Sequence, residues 1–191
     1  MENSIINYEK YFEELEKTCE LSDEKEIDLR LALLRDIQNA ALEWEIHIQN
    51  YHYAEFCEEL RNRGICFTPI NDSTTKAKWT KLFAASIPKE ERRKVHFEQY
   101  RWHLFSFELL DALTEDEARD AFDAQSKDTV YLFWQHTKKA YLVKNAHLLK
   151  AEDFDHDFIP FTDFYLFSPE GKWTYIHTHE IMCGPYFYKL P

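Results

Sequence analysis

An α+β fold, with N-terminal helices packed with a small C-terminal antiparallel β-sheet, is predicted by three features of the chain. Apolar residues recur every three or four positions from Tyr8 to Leu60 among many charged ones. From Val130 onward the pattern changes to short runs rich in Val, Tyr, Phe and Trp. Two of these runs flank Pro169-Glu170-Gly171, as the arms of a hairpin flank its turn. Helices first and strands last is the α+β order. At 191 residues, 45% hydrophobic and 16% aromatic, the chain can bury one substantial core. Only three glycines and six prolines argue against long disordered linkers.

Residues 5–21 place Ile5, Ile6, Tyr8, Tyr11, Phe12, Leu15 and Cys19 at helical spacings, a short amphipathic helix. Ser22 is the expected N-cap of the next helix, with Asp23 and Glu24 against the positive end of its dipole. That helix is long: Ile27, Leu31, Leu34, Ile37, Ala41, Trp44 and Ile48 follow its period, and Leu29, Leu33 and Ala40 widen the stripe. A stripe this wide calls for core packing on more than one side, or for a helical seam between two copies through residues 27–48. Gly64, after Arg61-Asn62-Arg63, is the predicted C-terminal cap. Ile65 to Thr68 reads as a short strand and Pro69 to Thr75 as a loop.

Lys76 to Ala85 is a further helix with Trp79, Leu82 and Phe83 on one side, and Pro88 opens another. Tyr100, Trp102, His103, Leu104, Phe105 and Phe107 form an aromatic segment predicted to be buried. Thr114 and Glu117 have the spacing of a capping box at the start of a helix through Ala118, Ala121 and Phe122. Val130–Gln135 and Ala140–Val143 form a predicted hairpin across His136–Lys139, and Ala146 to Phe154 reads as a helical turn. Residues 163–168 and 172–179 are the final hairpin. The chain thus divides into an acidic helical segment, 1–64, and an α+β part, 65–191, expected to form one compact unit.

The net charge of −12 is unevenly spread: residues 1–64 hold 16 acids and 7 bases, residues 65–191 hold 19 and 16. Such a balance argues against nucleic acid as the main partner, because phosphate binding needs a basic face. It suits a basic protein partner, with Glu9, Glu13, Glu16, Glu20 and Glu24 as the candidate acidic face. The one basic stretch, Lys76, Lys78, Lys81, Lys89, Arg92, Arg93 and Lys94, reads as a solvated surface. No apolar run approaches a membrane span and no secretory signal is visible, so a cytoplasmic location is expected. Cys19, Cys57, Cys66 and Cys183 form no C-x-x-C pair and are expected as free, mostly buried thiols.

Chemistry concentrates in Trp173-Thr174-Tyr175-Ile176-His177-Thr178-His179-Glu180. Residues two apart on a strand share a face, so His177 and His179 with a carboxylate have the composition of a two-His, one-carboxylate metal site. Glu180 is a candidate base, and Asp155 or His156 a further ligand. The simpler reading is structural: one imidazole packed on the sheet and the other hydrogen-bonded to Glu180 or a loop carbonyl. A Cys183–His179 nucleophilic pair lacks an identifiable orienting partner. The alternating Asp153, Asp155 and Asp157 lack the glycine and terminal glutamate of a calcium loop. No dinucleotide, Walker or serine-hydrolase motif occurs, and no cofactor is expected.

Residues from about 76 to 191 resemble a small bacterial family classed as a domain of unknown function. The resemblance is carried by Trp79 and Phe83, by Trp102-His103-Leu104-Phe105-Ser106-Phe107-Glu108, and by Val130-Tyr131-Leu132-Phe133. Its more specific motifs are Trp173-Thr174-Tyr175 through Thr178-His179-Glu180 and Gly184-Pro185-Tyr186-Phe187. It implies an intracellular α+β domain and brings no catalytic residues with it. The architecture is also similar in type to small immunity proteins that neutralise bacterial toxins. A protein-binding module, of immunity type in one form, is therefore the leading expectation; a metal-dependent hydrolase centred on His177, His179 and Glu180 is the alternative.

Overall fold

The first strand of the sheet is built at the end of a 39-residue helix, and the way that helix stops positions everything after it. The computed structural model describes residues 8–154, 163–180 and 182–191, the side chains of Tyr8, Glu9 and Gln49 excepted. Contacts group the chain into two units, Met1–Ala54 and Glu55–Pro191. The fold class is the α+β one that the sequence predicts, helices leading into an antiparallel sheet.

In the first unit, α1 (Tyr8–Cys19) is followed by α2 (Glu24–Asn62), whose last residues belong to the second unit. Asp23, and not Ser22, caps α2: its Oδ1 accepts from the backbone N–H groups of Lys25 and Glu26 at 2.9 and 3.2 Å. A carboxylate one residue nearer the helix satisfies two orphan donors and meets the helix dipole with charge, which Ser22 lacks. Arg30 on α2 joins Glu26 at 2.9 Å and Glu14 of α1 at 3.4 Å. Leu34 and Ala41 are the buried apolar residues of α2 within this unit.

Helix α2 ends as the sequence predicts. Gly64 adopts φ 92°, Ile65 N–H donates to the Leu60 carbonyl and Gly64 N–H to the Arg61 carbonyl. These are the paired bonds of a Schellman motif, and glycine carries the left-handed turn at little cost. The chain reverses directly into β1 (Cys66–Pro69).

The second unit is a seven-stranded antiparallel sheet in the order β1-β4-β3-β5-β6-β7-β2, a larger sheet than the C-terminal hairpins alone supply. Its strands are β2 (Leu113–Thr114), β3 (Thr129–Trp134), β4 (Ala140–Lys144), β5 (Phe164–Ser168), β6 (Trp173–His177) and β7 (Tyr186–Lys189), besides β1. Helices α3 (Asp72–Phe83), α4 (Lys89–Lys94) and α5 (His103–Ser106) precede β2; α6 (Glu115–Asp123) follows it. Two 3₁₀ turns, Ala146–Leu148 and Ala151–Phe154, occupy the predicted helical turn after β4.

Two separate apolar cores show why the central strands read as continuous aromatic runs. Phe164, Leu166, Trp173 and Tyr175 join Phe122 of α6, Leu60 of α2 and Phe154 in one core. Tyr165, Phe167 and Ile176 join Trp79 and Phe83 of α3, Phe97, Trp102 and Phe105 in the other. Successive strand residues point to opposite faces, so a strand covered on both sides has no polar side to show. Tyr175 stacks on Phe122 at 4.5 Å and Trp173 on Phe187 at 5.9 Å.

Three local expectations are corrected. Thr114 is the N-cap of α6 but makes no side-chain cap bond, because it also pairs with Tyr186 in β2 and the next residue, Glu115, turns at φ 51°. Cys19 and Cys66 are exposed, and Cys57 and Cys183 half-buried, so the thiols are not mostly buried. Of the aromatic segment before β2, Trp102, Leu104 and Phe105 are buried, whereas Phe107 is exposed.

Candidate functional site

At the start of β5 the chain places a charged residue where the strand enters the core. Asp163 has a side chain with no solvent exposure, and its carboxylate collects three donors from two other segments. His179 supplies two of them to Oδ1, its backbone N–H and its ring Nδ1, each at 2.8 Å. Trp102 Nε1–H donates to Oδ2 at 3.1 Å, and His136 Nε2 lies 3.8 Å from the same oxygen. The backbone completes the anchorage, since Gln135 N–H donates to the Asp163 carbonyl. A buried carboxylate needs this many donors to offset its lost hydration.

Because the carboxylate only accepts, His179 Nδ1 carries the hydrogen and Nε2 is left facing outward, 3.9 Å from Glu180 Oε1. The ring is one-third exposed. Around it stands an aromatic wall: Tyr100 lies 5.7 Å from His179, 5.5 Å from His136 and 5.0 Å from His103. His103 is fixed by its Nδ1 against the Val95 carbonyl at 2.6 Å. Beneath the cluster the Tyr165 hydroxyl accepts from Trp102 N–H at 3.0 Å, and burial, followed by the Asp163 charge, pushes it well above the ordinary tyrosine range. The arrangement is an imidazole oriented by Asp163, with its Nε2 beside the Glu180 carboxylate.

The residues that the sequence singles out divide among different surroundings. His177 ends β6 with its ring stacked on Phe164 at 5.0 Å, whereas His179 turns to Asp163. Asp155, His156 and Asp157 lie outside the described residues. Among the described residues no group of three His, Cys, Asp or Glu has an arrangement that holds a metal ion. The Cys183 thiol is pushed up, first by burial and then by Glu180, and Tyr186 is its other polar neighbour. Gly184-Pro185 forms a cis peptide, and the Pro185 carbonyl accepts from Glu115 N–H where α6 begins.

Asp163 and His136 are the members of the cluster that the sequence does not single out, and Tyr100 is legible there only as part of an aromatic segment. The available signal was a lone aspartate directly ahead of five buried residues, a position where charge is costly unless it is used.

A second surface lies on the first unit. Leu29, Leu33, Ile37, Trp44, Ile48 and Tyr51 run along one side of α2, and all are exposed, from 38% at Ile48 to 62% at Leu29. Glu13, Glu16, Glu20 and Glu24 are likewise exposed on the same unit; the side chain of Glu9 is not described.

A family model described as a domain of unknown function (DUF4275) matches residues 54–187. The chain belongs to this family. The DUF4275 match begins at the boundary of the two units and ends within β7, so nearly all of the sheet lies within it, while the first unit apart from Ala54 lies outside. No curated protein and no solved structure matches the chain. The Asp163–His179 cluster falls inside the DUF4275 region. No helix among the described residues is long and apolar enough to cross a membrane.

Proposed function

We propose that this protein is a protein-binding module whose first unit holds a basic, amphipathic segment of a partner protein. The observation that carries the reading is the exposed apolar row on α2, set in a segment where Tyr8–Ala54 has twelve acids and five bases. An apolar row attracts the apolar face of a helix, and the surrounding acids select one whose flanks are basic. A second copy brings the same excess of acid against itself, which opposes self-pairing through residues 27–48 at low salt. A cytoplasmic, immunity-type inhibitor that neutralises a basic toxin is one function served by such a surface.

The test uses a synthetic helical peptide with leucines on one face and lysines on the others, beside a version with glutamates for the lysines. Trp44 is half-exposed in the row and reports occupancy by a blue shift of its emission. The lysine peptide is expected to bind, more weakly at high salt, and Leu33→Asp or Ile37→Asp to weaken it by about tenfold or more. Equal binding of the glutamate peptide, or no binding of either, overturns the proposal. A salt-independent dimer that Leu33→Asp dissociates assigns the face to a second copy instead.

The Asp163–His179 pair supports a second reading, a hydrolase with His179 as general base. Its metal-dependent form draws on His177, His179, Glu180 and Asp155. Elemental analysis of the purified chain, with activity and stability measured for His179→Gln, tests it. Protein without bound metal, and a variant altered in stability alone, would sink this reading.

A further inference from the structure

The basic stretch of the sequence does not lie flat on the surface. Part of it folds around a groove of about 670 Å³ between α3 and the segment from α4 to α5, lined by Asp72, Lys76, Lys81, Arg92, Glu98 and Arg101 among others. This is within the size range of small-molecule sites. Both arginines are held by one buried ring: the Arg92 and Arg101 guanidinium carbons lie 5.4 and 5.5 Å from the Phe97 centroid. Their Nε–H groups are shut off from solvent without an acceptor. Neither guanidinium has a carboxylate partner among the described residues, although the chain as a whole is acidic. Two partly buried guanidinium groups on one ring, with Asp72 and Glu98 the acids of the same lining, leave the groove with more cations than carboxylates and suit it to an anion.

The opposite wall supplies the other half of a recognition pattern. Lys76 Nζ is tied to Asp72 Oδ2 at 3.0 Å and to the carbonyls of Gln135 and Thr137 at 3.1 and 2.7 Å. That leaves Asp72 Oδ1 buried with no donor. An acceptor without a donor and two arginines in the lining of one groove fit a ligand with an anionic group at one end and a hydroxyl at the other. Lys81 lines the same groove, so it holds three cations with no ion pair among the described residues, and a dianionic phosphate matches them better than a single carboxylate.

We propose that the groove between Asp72 and Arg101 binds a small, hydroxyl-bearing phosphomonoester such as a sugar phosphate. Phosphate lies against Arg92, Arg101 and Lys81, and a ligand hydroxyl donates to Asp72 Oδ1. Titration calorimetry of the full chain with ribose 5-phosphate, inorganic phosphate, ribose and succinate separates the contributions. Ribose 5-phosphate is expected to bind best, inorganic phosphate more weakly, and ribose not at all. Arg92→Gln with Arg101→Gln is expected to weaken ribose 5-phosphate by about tenfold or more, while Lys94→Gln, on the same basic stretch but paired with Glu91 outside the groove, leaves it unchanged. Should the double variant fail to fold, Ala77→Phe fills the groove from an exposed helix position without altering charge and is expected to abolish binding. The proposal is overturned if no phosphate probe binds, if succinate matches ribose 5-phosphate, or if Lys94→Gln weakens binding as much as the arginine pair.

Discussion

Thr174 sits in the middle of β6 with no solvent exposure and serves two polar groups at once. Its hydroxyl accepts from Trp79 Nε1–H at 2.9 Å and donates to the Leu166 carbonyl at 3.0 Å. Valine has nearly the same shape but leaves the Trp79 N–H buried without an acceptor. Thr174→Val is therefore expected to lose about 1–3 kcal/mol in denaturant unfolding, and Thr174→Ser, which keeps the hydroxyl, clearly less. The cysteines give a second residue-level expectation. Cys19 and Cys66 are exposed, whereas burial holds the Cys183 thiol above its usual range and keeps it protonated. With iodoacetamide at mildly alkaline pH, mass spectrometry should find Cys19 and Cys66 modified well before Cys183. Single residues were also where the sequence was least legible. Asp163, the centre of the candidate site, looks like any loop aspartate until its three donors arrive from Trp102 and His179, far away in the chain.

At the scale of elements, legibility followed how local each signal was. The Gly64 stop, the hairpin of β3 and β4 and the hairpin of β5 and β6 depend on neighbouring residues and were readable as such. Strand β1 was readable as a strand but its partner was not, and β2 was not read at all, because β1 pairs with β4, and β2 with β7, more than seventy residues later. The doubly covered centre was hidden for a different reason: with both faces of β5 buried, no polar alternation marks which side faces which helices. One side chain ties the end of α2 to the 3₁₀ turns. Arg63 reaches both oxygens of Asp153, at 2.5 and 3.0 Å, and the Leu148 carbonyl as well. Asp153 also accepts from Lys150 N–H, so the turn is organised around this pair. Arg63→Met keeps most of the apolar stem but strands a nearly buried carboxylate, and a loss of about 1–3 kcal/mol is expected. Arg63→Lys recovering less than half of that loss, measured by chemical denaturation, identifies the forked contact as its source.

For the molecule as a whole, the aromatic wealth that builds two cores also sets its response to alkali. Tyr165 is wholly buried and pushed well above the ordinary value of 10.0, first by burial. Burial, followed by the neighbouring Cys183, raises Tyr186 to about 12, and burial raises Tyr188. Below pH 10 these hydroxyls are protonated in folded and unfolded chains alike, and their stabilising effect is complete. Above it the unfolded chain releases protons that the folded chain retains, so stability falls as pH rises through the folded values. Lys127 works in the opposite direction. Its ammonium is buried against the Phe122 ring and carbonyl, and burial lowers its pKa from 10.5. Between that lowered value and 10.5 the folded chain binds fewer protons, so this one group adds stability as pH rises, and the gain ends at 10.5. Three tyrosines against one lysine give a melting temperature that holds to about pH 10 and then drops steeply toward pH 12. Tyr186→Phe cannot ionise when unfolded, so its loss between about pH 8 and pH 11 should be smaller than that of the unsubstituted chain. Thermal melts followed by circular dichroism across that range decide the matter: a flat profile above pH 10, or an identical slope for Tyr186→Phe, means that the buried hydroxyls are not what alkali attacks.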